Sequence, residues 1–301
     1  MWEFLKKTIS GWIEDEPFAL AAALSYYTLF SLAPLLTIAI AIAGFFFGAE
    51  AAQNQVVETT QGLVGRESAQ AIQEMVRKAS EKPTAGIIST VFGVIALLFG
   101  AGGVVGQLQN SLNQVWGVAP KPGQGVWGFI RQRFISFAMV LSVGFLLLVS
   151  LVVSAVLSGM TTLLSNALGG MAVLTHALDV LVSFAFITLL FALIYKFLPD
   201  AKIQWRDVWI GAALTSILFT IGKSLIGLYL GNSGVTSVYG AAGSLITVLL
   251  WVYYSALIFF FGAELTRVYA TEYGSGVEPA DNARLVDAEK TAATKRKSAR
   301  A

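Results

Sequence analysis

From Pro17 to Ala49 the chain carries no charged side chain, and Phe18–Phe47 is almost wholly apolar. A bilayer core of roughly 30 Å needs about 20 apolar residues in a helix, because a helix bonds its own backbone polar groups where no water can. Leu20–Phe47 exceeds that length, with Pro34 placed to kink it. The segment lacks a short apolar core followed by a small-residue exit, so it is expected to stay as an anchor rather than be cleaved. The class that follows is an all-α membrane protein.

Composition agrees. Of 301 residues, 56% are hydrophobic and 13% charged, against about 25% charged in an ordinary soluble domain. Without cysteine there are no disulfides, thiolate metal sites or cysteine nucleophiles. The single histidine, His176, disfavours metal centres and His-based acid/base chemistry. No cofactor, metal or catalytic set is expected.

Five more apolar runs follow: Gly86–Gly106, Phe134–Leu157, about Val173–Phe197, about Trp209–Leu230 and Gly243–Ala263. Six spans predict a bundle with both termini on one side. Lys and Arg are retained on the cytoplasmic side. With the N-terminus inside, the inner segments hold Lys6, Lys7, Lys121, Arg131, Arg133, Lys196, Lys202, Arg206, Arg267 and the basic tail. Two outer loops, near Leu163–Met171 and Gly231–Ala242, hold none, while the outer segment Ala49–Pro83, long and also acidic, holds Arg66, Arg77, Lys78 and Lys82. The expected topology is N-in, C-in in a bacterial inner membrane.

Residues 1–15 place Trp2, Leu5, Ile9, Trp12 and Ile13 at helical spacing beside Lys6 and Lys7, as suits an amphipathic helix on the inner leaflet. Residues 16–273 form the six-span domain. Within it, about 49–83 reads as a small helical outer cap, with periodic Val56, Leu63, Ile72, Met75, Val76 and Ala79. Residues 274–301 are polar, end in a basic cluster and read as a disordered cytoplasmic tail, either simply solvated or touching anionic headgroups.

Ionisable groups inside spans are costly and count as candidate sites. Lys223 lies in the fifth span, about 12 Å below its outer end at 1.5 Å per residue, and Asp179 about 9 Å deep in the fourth, with His176 one turn above it. A Lys223–Asp179 pair is one reading; the other has Lys223 snorkelling outward and Asp179 capping a shorter span. A second polar cluster approaches the inner face. It comprises Ser25, Tyr26, Tyr27, Thr28 and Ser31; Gln107, Gln109, Asn110, Asn113 and Gln114; and Glu264 with Arg267. Such groups could line a vestibule or merely join helices. Glu264 follows Phe259–Ala263, so its charge must find Arg267 or water. The glycines of the second span match no phosphate loop, and Gly102 and Gly106 suit close helix packing instead.

Three stretches resemble the YihY / virulence factor BrkB membrane family. They are Ala22–Pro34 (AALSYYTLFSLAP), Leu108–Gly117 (LQNSLNQVWG), and Tyr239–Ser244 continuing through Leu250–Tyr254 to Gly262–Leu265. The resemblance covers about Phe4–Tyr273 and implies a six-helix bacterial inner-membrane protein. Members have been labelled ribonuclease BN, or linked to serum resistance or to export of envelope lipids, and no catalytic set carries over.

A nuclease would need a basic soluble groove with clustered carboxylates or histidines, so nucleic acid is not an expected partner. The leading expectation is a non-enzymatic transporter or lipid translocator for envelope lipids or another anionic substrate, with membrane lipids as partners and homo-oligomers open to it. A non-transporting scaffold and an ion-coupled small-solute exchanger, titrating at Asp179 or Glu264, are the alternatives.

Overall fold

The computed structural model describes residues 2–48, 50, 53–54, 61, 66–80, 102–121, 172–232 and 242–286. The third predicted span, Phe134–Leu157, and most of the second, Gly86–Gly106, lie outside them. The described elements are α1 (Trp2–Glu14), α2 (Pro17–Phe47), α3 (Arg66–Ser80), β1 (Val118–Pro120), α4 (Ala172–Phe197), β2 (Ala201–Lys202), α5 (Trp205–Asn232), α6 (Gly243–Glu272), β3 (Glu278–Pro279) and β4 (Ala283–Leu285). Residues 102–115 form a further helical segment. Among the described residues, two helices are long and apolar enough to cross a membrane, Trp205–Tyr229 and Gly243–Glu272, while Pro17–Ala33 and Ser183–Phe197 are shorter apolar stretches.

Why α1 stops and α2 starts is local chemistry. Glu16 adopts the left-handed conformation at φ 53°, and Pro17 then opens α2, where its missing N–H costs nothing. The helix continues through Pro34 to Phe47. At the other junction, residues 198–204, which include Pro199, Asp200 and β2, connect α4 to α5.

α6 is the central element, packed on α5, α2 and α1, while α4 packs on α5. The core gathers Leu112, Trp116, Phe191, Tyr195, Ile203, Val208, Phe259 and Phe260 at one end of the bundle. Hydroxyls inside it bond their own helices: Ser25 to Ala21, Thr215 to Gly211, Ser216 to Ala212 and Thr266 to Gly262, each donating to the carbonyl four residues back. That arrangement satisfies polar groups where water is absent. Tyr195 Oη donates to the Phe259 carbonyl at 2.8 Å and lies 3.3 Å from Thr215 Oγ1, tying α4 to α6.

Two glycine–threonine contacts set the α5–α6 distance. A Cβ on Gly211 would fall 1.8 Å from Thr266 Oγ1, and one on Gly262 would fall 2.1 Å from Thr215 Oγ1. Each helix thus offers a glycine to the other's threonine, one turn apart, which is the small-residue logic of membrane packing. In the second glycine run a Cβ on Gly103 would fall 3.3 Å from the Tyr27 ring, whereas one on Gly106 would meet nothing within 4 Å among the described residues.

α3 lies within the stretch expected to form the cap. It buries Ala69, Ile72 and Val76 on one face, and Ile72 packs with Val248 of α6, near Leu36 of α2.

The segment after α6 corrects a sequence expectation. Residues 274–286, read as the start of a disordered tail, fold back onto the bundle. β1 pairs antiparallel with β4, setting Val118 against Leu285, and β2 pairs with β3, setting Lys202 against Glu278. The turn is held by Gly276, at φ +80°, whose N–H donates to the Ala270 carbonyl at 2.8 Å. Buried Ala283 and two captured hydrogen-bonding residues, Ser275 and Asn282, hold a stretch whose composition alone reads as solvated.

Candidate functional site

α1 turns two faces in different directions. Trp2, Leu5, Ile9 and Ile13 are exposed along one side, while Thr8 is buried against the bundle. Trp12, expected on the apolar face with them, instead meets Phe18 and Phe261 edge-on at 5.6 and 5.7 Å and anchors α1 to α2 and α6.

Where α1 crosses α6, Glu264 is completely buried. Arg267, one turn later, grips it with both prongs: Nε to Oε2 at 2.7 Å and Nη2 to Oε1 at 2.5 Å. This bidentate pair is the partner that the apolar run before Glu264 demands, since a lone buried carboxylate would be neutralised or expelled. Gly11 of α1 lets it fit. Beside the pair lies a groove of about 300 Å³ between α1 and α6, lined among others by Lys7, Ser10, Gly11, Glu14, Arg267 and Thr271. At its rim Lys7 Nζ bonds Glu272 Oε1 at 2.8 Å, which raises the Lys7 pKa.

Asp15, between α1 and α2, adds to the cluster. Its partial burial, and then the nearby Glu264 charge, push its pKa from an ordinary 3.8 up to about 7, with Glu14 adding to the rise and Arg267 opposing it. Its carbonyl accepts from Gln114 Nε2 at 2.8 Å. Asp15 and Glu14 thus add their charges near the guanidinium that Glu264 holds. Among the described residues no group of three metal-ligating side chains occurs.

A neighbouring network centres on Asp200. Its carboxylate accepts from Asn113 Nδ2 at 2.8 Å and Asn282 Nδ2 at 2.9 Å, with Gln109 Nε2 at 3.4 Å, and its N–H donates to Asn113 Oδ1 at 2.7 Å. Asp207, buried at the start of α5, accepts from both the N–H and the hydroxyl of Ser275, at 3.1 and 2.9 Å. Neither aspartate was singled out from sequence, because their partners lie 68 to 91 residues away.

The remaining sequence candidates scatter. Tyr26 and Tyr27 are exposed on α2 and stack edge-on at 5.9 Å, Asn110 is exposed, and Asn113 is buried in the Asp200 network. Lys223 is exposed on α5 among Ile221, Leu225 and Leu228, and among the described residues it makes no ion pair. Asp179 and His176 belong to α4, but their side chains lie outside the described set, so the Lys223–Asp179 pair does too.

The family model described as "Virulence factor BrkB" matches residues 8–285. The chain belongs to the virulence factor BrkB family. Among curated relatives, a UPF0761 membrane protein of Pseudomonas aeruginosa (strain LESB58) is 29% identical over 267 residues, covering 87% of this chain and 62% of the relative. One from Photobacterium profundum is 30% identical over 256 residues, covering 82% of this chain and 74% of that protein. One from Psychrobacter sp. (strain PRwf-1) is 26% identical over 274 residues, covering 90% and 49% respectively. The chain thus spans about three-fifths of the Pseudomonas relatives' length. No solved structure matches. Membership agrees with the motifs in α2, residues 108–117 and α6, and a membrane location agrees with the relatives' names.

Proposed function

We propose that this BrkB-family chain is a transporter of the bacterial inner membrane. It crosses six times with both termini cytoplasmic, acts without catalysis on its substrate, and moves an anionic amphiphile such as an envelope lipid. The observation that carries the reading is the buried Glu264–Arg267 pair beside the α1–α6 groove. A fully buried ion pair is a weak source of stability. In a membrane bundle, ionisable groups of this kind mark pathways and proton relays. Its place beside Asp15, a group that titrates near neutrality, gives the site a charge that cellular pH can change. Exposed apolar side chains on α1 and α5 fit helices that meet lipid, and assembly with further copies of the chain is open to the same surface.

The Asp15–Glu264–Arg267 cluster also favours a second reading, ion-coupled exchange of a small solute. The two are separated in proteoliposomes. Protein-dependent movement of a fluorescent anionic lipid supports translocation. Absence of lipid movement, together with pH-driven or sodium-driven solute uptake, replaces it with exchange. Neither activity would leave an envelope scaffold.

A further inference from the structure

A second cavity at the same end of the bundle, about 500 Å³, lies between the α4–α5 connection and the segment after α6 and shares no lining residue with the groove at Glu264. Its walls include Lys196, Lys202, Trp205, Arg206, Ser275 and Glu278. The charge balance is positive once partners are assigned. Lys202 pairs with Asp281 at 2.6 Å, but Asp281 is 93% exposed, so that bridge is open to water and cheap to exchange. Lys196 donates to the Ile203 carbonyl and stands 5.7 Å from the Trp205 ring centroid. Arg206 is exposed and, among the described residues, has no ion-pair partner. The neighbouring Asp207 is buried and committed to Ser275. Glu278 is the one acidic residue in the described lining.

Against this basic wall stands an aromatic edge. Phe197, Trp205 and Trp209 are all exposed, with ring centroids 5.7 Å apart from Phe197 to Trp205 and 6.3 Å from Trp205 to Trp209. Exposed rings beside cations fit the boundary between headgroups and acyl chains, where Trp sits and Lys and Arg reach to phosphate. Basic pockets at the cytoplasmic ends of membrane helices recognise anionic headgroups in this way.

We propose that this cavity binds the headgroup phosphate of an anionic phospholipid, with Arg206 and Lys202 on the phosphate and Trp205 and Trp209 along the upper acyl chain. The site requires only a membrane setting. Its failure would leave the transport reading standing, and the failure of transport would leave the site.

The test is thermal unfolding of the purified full chain in a neutral detergent, titrated with short-chain phosphatidylglycerol, short-chain phosphatidylcholine and inorganic phosphate. Phosphatidylglycerol raises the melting temperature saturably and phosphatidylcholine does not. Arg206→Gln and Lys202→Gln each weaken the apparent affinity about fivefold, given roughly 1 kcal/mol per juxtamembrane cation. Arg77→Gln, on exposed α3 outside the cavity, binds as wild type does. Equal effects of the two lipids would overturn the proposal, as would an Arg77→Gln loss matching that of Arg206→Gln. Saturation by inorganic phosphate at the same concentrations would overturn the lipid assignment.

Discussion

A methyl group on Gly11 would lie 2.0 Å from Oε1 of Glu264 and 2.9 Å from Nη2 of Arg267. α1 is therefore seated on the buried ion pair itself, so the position of an N-terminal surface helix and the ionic state of α6 are mechanically linked. Gly11→Ala must push the pair or lift α1. It is expected to lower stability by about 1–3 kcal/mol, the usual cost of overpacking, measured by thermal unfolding in detergent. Unchanged stability would mean that α1 is not held there.

Breaking the pair from one side is worse than removing it. Arg267→Met leaves Glu264 buried and unpaired, at a cost of about 3–5 kcal/mol. Arg267 is itself one-third exposed, which places the loss toward the lower value. The double variant Glu264→Gln/Arg267→Met is expected to be more stable than Arg267→Met alone. A double variant less stable than the single one would show that the two residues do not act as a pair.

Asp15 predicts a pH dependence whose sign is set by burial. Its folded pKa, about 7, lies above the ordinary 3.8, so between those values the native state keeps a proton that the unfolded state has released. The unfolded state binds fewer protons there, and stability contributed by this group falls as pH rises from about 4 to about 7. Glu14, Glu264 and Arg267 are the charges that act on it. Asp15→Asn is expected to flatten that slope and to gain on wild type above pH 7. A wild-type slope in the variant would show that Asp15 is not the group responsible.

The α5–α6 interlock gives a cycle. Gly211→Ala places its Cβ 1.8 Å from Thr266 Oγ1 and 2.5 Å from Thr266 Cβ, whereas Gly211→Ala/Thr266→Gly relieves the clash. Non-additivity of about 0.5–3 kcal/mol is expected for residues in contact. Additive losses would contradict the packing described here.

How much of this was readable beforehand follows from the physics of each element. The apolar runs behind α2, α5 and α6 stand out because a bilayer demands length and apolarity together. Glu264 and Arg267 were legible as a pair because three residues on a helix is one turn. Gly11 was not, since a glycine in an amphipathic helix reads only as a weak point until the neighbouring helix is known. Asp200 and Asp207 were hidden because their partners come from distant segments. The two-residue and three-residue strands after Gly274 carry no usable period, and polar composition concealed them. Trp12 was assigned to the apolar stripe because spacing alone cannot separate a ring facing lipid from one facing α6.

Lys223 separates a pathway from a surface. Its exposure among aliphatic side chains on α5 fits either a residue met by a moving headgroup or one reaching to the interface. Lys223→Met is expected to slow lipid movement while leaving the melting temperature unchanged. Full transport in the variant would remove Lys223 from the path.

Lipid movement in proteoliposomes tests the transport reading most directly. Fluorescent anionic and zwitterionic lipids are followed by chemical reduction of the outer-leaflet probe, for wild type, Glu264→Gln and protein-free vesicles. Protein-dependent loss of the protected fraction for the anionic lipid, blunted in a Glu264→Gln protein that remains folded, is the predicted result. Protection equal to that of protein-free vesicles for both lipids would contradict it.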